Sequence, residues 1–318
     1  MSLASFDKNH WALILGGSSG FGLATAQKLA RHGMNVCVVH RDRRGAMVGI
    51  EQEFEKIRAT NVGFFAINGD ALSAEGRKGA LDALGERMGG DGRVRLLMHS
   101  IAYGNLKPIA PVSKHATEAT GHARARLAER LGIGADALEG AIKAIVAEGH
   151  GDELAHLVDP PSYDADTLLE DEDFARTIYS MGTSLATWTQ DVFRRRQFAS
   201  DARVIGMTSE GNEVAWRGYA AVSAAKVALE SVSRTIATEL APYGVRSNIV
   251  QAGVTDTPAL RLIPGSERMK AEARLKNPFG RLTTPADVGD FIALLCTDEA
   301  RWVNGALIRV DGGERIAG

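Results

Sequence analysis

The sequence predicts an α/β fold, a Rossmann-type doubly wound parallel sheet of about seven strands with helices on both faces. Three observations predict it. An apolar run at residues 11–15 ends in a glycine-rich turn that opens into a helically spaced segment, strand-like and helix-like runs then alternate along most of the chain, and the chemically useful side chains fall at the ends of the strand-like runs. Residues 1–318 read as a single domain, with residues 107–173 as a mainly helical insertion.

Residues 11–15 form the first strand, and Gly16-Gly17-Ser18-Ser19-Gly20-Phe21-Gly22 the turn into a helix that continues through Ala30. Glycines are needed where a backbone turns tightly and approaches a pyrophosphate, whose charge is met by backbone N–H groups and the positive end of the helix. Gly16, Ser18, Ser19, Gly20, Phe21 and Gly22 are therefore expected at a dinucleotide. The second strand, residues 35–39, runs into His40-Arg41-Asp42-Arg43-Arg44. An acidic residue at this strand end selects NAD and an arginine accommodates the 2′-phosphate of NADP, so His40 and Arg41 favour NADPH over NADH. The alternative is a solvated basic loop, and Asp42 keeps NADH open.

Residues 51–58 read as a helix and 63–67 as the third strand. Asp70 and Ala71 follow it, the carboxylate either accepting from the adenine amino group or capping the next helix. The fourth strand, residues 94–98, delivers His99, Ser100 and Ile101 to the carboxyl edge of the sheet, where open α/β folds bind ligands. Alternation then stops. Residues 123–131 and 137–147 look like two short helices, and Asp159-Pro160-Pro161 breaks the chain, so the insertion reads as a cap over the site, an oligomer contact or a decorative loop.

Residues 174–198 read as one long helix whose buried face is Ile178, Leu185, Trp188, Val192 and Phe193. The fifth strand, 203–207, ends in Thr208-Ser209. Tyr219 to Lys226 opens the next helix, where a separation of seven places phenol and ammonium on one face two turns apart. The sixth strand, 245–251, leads to Gly253, Val254, Thr255 and Thr257; the proline-bounded, charged stretch 259–278 suits a mobile loop; and the last strand, 306–310, enters Asp311-Gly312-Gly313.

Composition bounds the function. Of 318 residues, 45% are hydrophobic and 24% charged, so a large core can be buried. The net charge of −2 provides no global field for nucleic acid or an anionic membrane. Cys37 and Cys296 make no disulfide framework, which suits a reducing compartment. No run approaches the roughly 20 apolar residues of a membrane span, and the first ten residues lack the pattern of a secretion signal. A cytoplasmic enzyme without a metal site is expected.

These motifs, in this order, resemble the short-chain dehydrogenase/reductase family outside the insertion: Gly16-x3-Gly20-x-Gly22, Asp70, the tyrosine and lysine, Gly253 with Thr255 and Thr257, and Val310-Asp311-Gly312-Gly313. The common branch uses Tyr-x3-Lys, which places Val222 where the tyrosine should be. Tyr219-x6-Lys226 and His99-Ser100-Ile101-Ala102 instead resemble the divergent branch, the enoyl-acyl carrier protein reductases. Val222 stands where that branch usually has methionine and Ser209 where it often has a second tyrosine; Ser209 also matches the common branch's catalytic serine, so the signature is mixed. The resemblance implies Tyr219, Lys226 and Ser209 as catalytic residues. It implies cofactor contacts from Asp70, Ala71, Ser100, Ile101, Lys226, Gly253, Val254, Thr255 and Thr257 as well as the glycine turn, and a homotetramer acting on acyl carrier protein or coenzyme A thioesters in fatty-acid synthesis. The expected reaction is NADPH-dependent reduction of a trans-2-enoyl thioester. A carbonyl or 3-oxoacyl reductase is the alternative within the fold, and a catalytically idle NADP-binding sensor or assembly subunit the alternative of another class.

Overall fold

The structure is a computed structural model, and it describes residues 5–111, 114–158, 161, 163 and 167–317. Among them seven strands form one parallel sheet: β1 (His10–Leu15), β2 (Asn35–His40), β3 (Phe64–Asn68), β4 (Arg93–His99), β5 (Phe198–Ser209), β6 (Val245–Ala252) and β7 (Leu307–Val310). Their order is β3-β2-β1-β4-β5-β6-β7, so the winding direction reverses between β1 and β4. Ligands bind at the carboxyl edge of such a switch point.

Strand residues alternate between two cores. Ala12 and Ile14 face one with helices α1 (Gly20–Arg31), α2 (Met47–Arg58) and, near the other end of the chain, Pro285–Leu295; Leu13 and Leu15 face the other with α3 (Ala74–Met88) and the helices that follow β4 and β5. Burial on both faces explains why the strands read as continuous apolar runs.

The insertion forms α4 (Lys114–Leu131), α5 (Ala135–Ala147) and a 3-10 turn at Asp152–Leu157. Leu138, Ile142 and Val146 lie four residues apart on one face of α5 and are buried with Ala128 and Ala155 in a small core separate from the sheet. Of the chain break at Asp159-Pro160-Pro161, only Pro161 lies within the described residues, packed against Gly265.

Three expectations need correction. The long helix expected over 174–198 is α6 (Asp171–Ile178), a π-turn (Tyr179–Thr183) and α7 (Ser184–Arg194); Phe198 already belongs to β5. A π-turn takes up an extra residue, so the apolar face rotates within the run. Ile178 and Met181 pack toward Val222 and Ala225, whereas Leu185, Trp188 and Val192 pack under the sheet. The stretch 259–278 is not an irregular loop but α9 (Pro258–Arg261) and α10 (Ser266–Lys276), following α8 (Ala220–Glu239) and β6 and preceding α11 (Pro285–Leu295). Pro258 occupies the first turn of α9, where the missing N–H costs nothing. The third correction concerns Asp70: Ser73 caps α3 by accepting from Gly76 N, while Asp70 Oδ1 accepts from Leu72 N at 3.0 Å.

Candidate active site

The glycine turn is built for close approach. Gly16 has φ +81°, and a Cβ there would stand 2.5 Å from the carbonyl oxygen of Ser100; one on Gly22 would stand 2.3 Å from Gly16 O. The turn and the β4 tip therefore touch, backbone to backbone, which Ser100 N donating to Leu15 O at 2.8 Å reinforces. Ser19, at the N-cap of α1, makes no side-chain bond to the first turn, and no acidic residue lies there. The N–H groups that open α1 are left for an anionic ligand, as a dinucleotide phosphate requires. Thr257 packs beside Gly20, its methyl 3.4 Å from where a Cβ would lie, and so joins the loop after β6 to this turn.

At the β2 tip the structure buries the ring of His40 edge-on against Phe54, with Nδ1 2.8 Å from Asp42 Oδ2. The Asp42 carboxylate is thus directed at the protein. Arg41 beside it is exposed and makes no hydrogen bond or ion pair among the described residues. Asp70 is exposed at the β3 tip, and Ala71 is buried with its carbonyl accepting from Trp188 Nε1 at 2.8 Å.

A cleft of about 210 Å³ lies over the tips of β4, β5 and β6. Phe21, Ser100, Ile101, Gly253, Val254, Thr255 and Thr257 line it together with Ser209, Tyr219 and Lys226. Outside its lining, Gly16, Ser18, Ser19, Gly20 and Gly22 lie at the β1–α1 turn, His40 and Arg41 at the β2 tip, and Asp70 and Ala71 just past the β3 tip, all on the same edge of the sheet.

Tyr219 stands at the N-cap of α8 rather than inside it, with φ −104° and ψ 3°. Its carbonyl accepts the first helical bond from Ser223 N at 2.8 Å, so the two-turn spacing to Lys226 survives. Its ring packs with Met181, Val222 and Ala225 and crosses Gly211, where a Cβ would lie 2.4 Å from the ring and 3.5 Å from Ser209 Oγ. Gly211 is what allows phenol and serine to share this space. Burial raises the Tyr219 pKa above its ordinary value, and the Ser209 hydroxyl beside it acts in the opposite direction. That hydroxyl approaches the phenol without a hydrogen bond of full geometry, for Ser209 Oγ is buried with no partner. An unpaired buried hydroxyl beside a phenol suits an acceptor arriving in the cleft.

Lys226 is buried, and Nζ donates to Met207 O at 2.8 Å. Burial pulls its pKa down to about 8, with Glu230 one turn on acting to raise it. It remains mainly cationic at neutral pH. Glu230 Oε1 in turn accepts from Thr208 Oγ1 at 2.9 Å and from Asn212 Nδ2 at 2.6 Å, tying α8 to the strand end that carries Met207 and Ser209. Behind Lys226, His99 Nε2 lies 2.8 Å from Ser184 Oγ, just past the π-turn; burial, then the Lys226 charge, push its pKa down to about 3, so it is neutral.

Sequence reasoning missed Glu314. Its two carboxylate oxygens accept from Val254 N at 3.1 and 3.2 Å, and Oε2 would lie 2.8 Å from a Cβ on Gly253. It is the residue after Gly313, so its place beside the final glycine motif was the available signal. The apolar walls contributed by Leu106, Met181, Trp216, Leu260 and Met269 were missed too, because they come from four separate segments.

The glycine turn at the switch point leaves helix N–H groups open to an anionic ligand, and a cleft with tyrosine, lysine and serine lies over the neighbouring strand tips, the arrangement of a dinucleotide-binding α/β fold. The chain belongs to the short-chain dehydrogenase/reductase family. A family model for short chain dehydrogenase matches residues 10–123, and one for enoyl-(acyl carrier protein) reductase matches residues 158–314. A 3-oxoacyl-(acyl-carrier-protein) reductase of Mycobacterium tuberculosis is 30% identical over 181 residues, 56% of this chain and 72% of that protein. An enoyl-(acyl-carrier-protein) reductase (NADH) of Aquifex aeolicus is 36% identical over 115 residues, 36% of this chain and 43% of that one. The chain spans about half the length of the first curated relatives it matches, between 42% and 53%. A short chain dehydrogenase of Burkholderia cenocepacia solved in complex with NADP superposes with a TM-score of 0.66 at 20% identity, covering 96% of this chain and 98% of that one. No helix of the described residues is long and apolar enough to cross a membrane.

Proposed function

We propose that this protein reduces the C2=C3 double bond of a trans-2-enoyl thioester, carried on acyl carrier protein or coenzyme A, with NADPH. The observation that carries this reading is the station of Tyr219 at the head of α8, two turns from Lys226, while the apolar Val222 occupies the position four before the lysine. A tyrosine one turn earlier than in carbonyl reductases reaches an oxygen farther from the hydride acceptor, the arrangement of a C=C bond conjugated to a carbonyl.

A bound nicotinamide cofactor would supply a hydride at the β-carbon. The chain's own residues manage the charge that this creates. Tyr219 donates its phenolic hydrogen bond to the thioester oxygen as negative charge develops there, stabilising the transition state more than the ground state. Lys226, cationic and fixed by Met207 O, favours the phenolate left after proton transfer. Leu106, Met181 and Val222 exclude water from the acyl side. NADPH is favoured by the uncommitted Arg41 and by the Asp42 carboxylate facing His40; the Burkholderia structure carries NADP, whereas the Aquifex relative is named for NADH.

Ketone reduction is the second reading, favoured by the unpartnered Ser209 hydroxyl beside the phenol, which suits a serine–tyrosine pair polarising a carbonyl. One assay separates the readings. Wild type and Tyr219→Phe are given crotonyl and acetoacetyl thioesters in turn, with NADPH or NADH. Consumption of NADPH with the crotonyl substrate, falling about 10²-fold or more in Tyr219→Phe with cofactor affinity retained, is expected. Consumption with acetoacetyl thioester alone would overturn the enoyl reading in favour of the ketone, and consumption with neither would leave an idle cofactor-binding protein.

A further inference from the structure

Among the described residues, none of α4 or α5 lines the cleft; they pack instead on a helix that does. Leu260, Ile263 and Met269, from α9, α10 and the turn between them, line the same cleft as Tyr219. On α10, Ala271 is about 200° around the helix from Met269, and Arg274 follows it at i+3, so Ala271 and Arg274 share the outer face. That outer face is where the insertion packs. Ala271 is fully buried among Ala128 of α4, Leu138, Ile142 and Val146 of α5, and Ala155 of the 3-10 turn. Only a small residue lets two backbones come this close. Arg274 then forms a bidentate pair with Asp152, Nε to Oδ2 and Nη2 to Oδ1, both at 2.7 Å, with its guanidinium carbon 3.7 Å from where a Cβ on Gly149 would lie. Planar two-point pairing fixes orientation as well as distance.

We propose that the insertion is a clamp on α10: Asp152–Arg274 and the Ala271 seam hold α9 and α10 as a preformed wall of the cleft, and through Met269, Leu260 and Ile263 they set which acyl chain fits. A helix as short and polar as α10 has no core of its own to hold it. Its register over the site comes from Ala271, buried in the insertion's small core, and from the Arg274–Asp152 pair. The specificity part of the proposal rests on the acyl thioester reading; the clamp itself does not.

The test therefore starts without substrate. Backbone amide exchange of α10 is measured in the wild type, in Arg274→Ala, and in the charge-exchanged double variant Asp152→Arg with Arg274→Asp. Exchange over residues 266–276 should rise roughly tenfold in Arg274→Ala, fall back toward wild type in the double variant, and leave the sheet strands unchanged. With enoyl thioesters, Arg274→Ala should raise KM for an eight-carbon chain about tenfold while KM for NADPH holds steady, since nothing at the cofactor end moves. Unchanged exchange in Arg274→Ala, or a rise spread equally over the sheet, would overturn the clamp. Loosened α10 with no change in KM for any chain length would overturn its control of specificity and leave the reductase reading intact.

Discussion

Glu314 shows what a single residue can contribute from outside the motifs. Its carboxylate closes on Val254 N and the flank of Gly253, holding the loop that forms the cleft floor. Burial raises its pKa from 4.5 to about 7; the Val254 N–H opposes that shift, the negative Glu210 and Asp311 add to it, and Lys276 reduces it. Between those two values the folded state binds more protons than the unfolded one, so stability falls as pH rises through this window and levels off above it. Glu314→Gln keeps an oxygen for Val254 N and removes the titration. Its melting temperature should match the wild type near pH 4.5 and exceed it at pH 8, by a free energy on the order of 2 kcal/mol, as followed by thermal denaturation across pH. Spacing suggested that Tyr219 and Lys226 share a face, because a helix brings residues seven apart onto one side, but only the surrounding motifs singled the pair out. Glu314 was not, since its partner is a backbone N–H sixty residues away in the chain.

At the scale of elements, the strand–turn–helix at residues 10–31 was readable because its pattern is local in sequence: Gly16 answers to backbone at the neighbouring strand tip and Gly22 to backbone within the turn itself. Gly16 also sits at positive φ, so Gly16→Ala adds a left-handed strain to a 2.5 Å contact with Ser100 O. We expect that variant to fold with reduced stability and, on the proposed function, to lose roughly tenfold or more in affinity for the nicotinamide cofactor, about 1.4 kcal/mol, by fluorescence titration with NADPH and NADH. The run 174–198 was misread for the opposite reason. Apolar spacing reports a period, and a π-turn changes phase without changing composition. The stretch 259–278 was misread because its prolines and charges look loop-like until the insertion supplies the partner surface for α10.

Across the whole molecule, the chemistry occupies one edge of the sheet and an ionic hub the other. Asp201 accepts from Arg95 Nη1 at 2.7 Å and Arg203 Nη1 at 2.6 Å, and also from Arg246, so β4, β5 and β6 converge on one carboxylate. Arg95 and Arg203 extend the hub to the carbonyls of Cys296 and Leu295 at the end of α11. Asp201→Ala would leave buried guanidinium groups short of a counter-charge. It should cost about 2–4 kcal/mol in urea denaturation, somewhat below the value for a fully buried pair because Asp201 retains partial exposure. Cofactor affinity under native conditions should not change. The parallel sheet and its two cores were legible because seven apolar runs alternate with helices. The hub was not, because arginines inside strands look like interruptions until three strands lie side by side.

The π-turn at Tyr179–Thr183 separates these obligations within one continuous run of chain. Ile178 just before it and Met181 within it belong to the wall beside Tyr219; downstream, Leu185, Trp188 and Val192 belong to the foundation under the sheet. The two sets answer to different neighbours, so the wall can be recut for another substrate while the foundation stays as it is. One extra residue in a turn gives this helix two independent careers, and the protein gains a place to change what its cleft accepts without relearning how to fold.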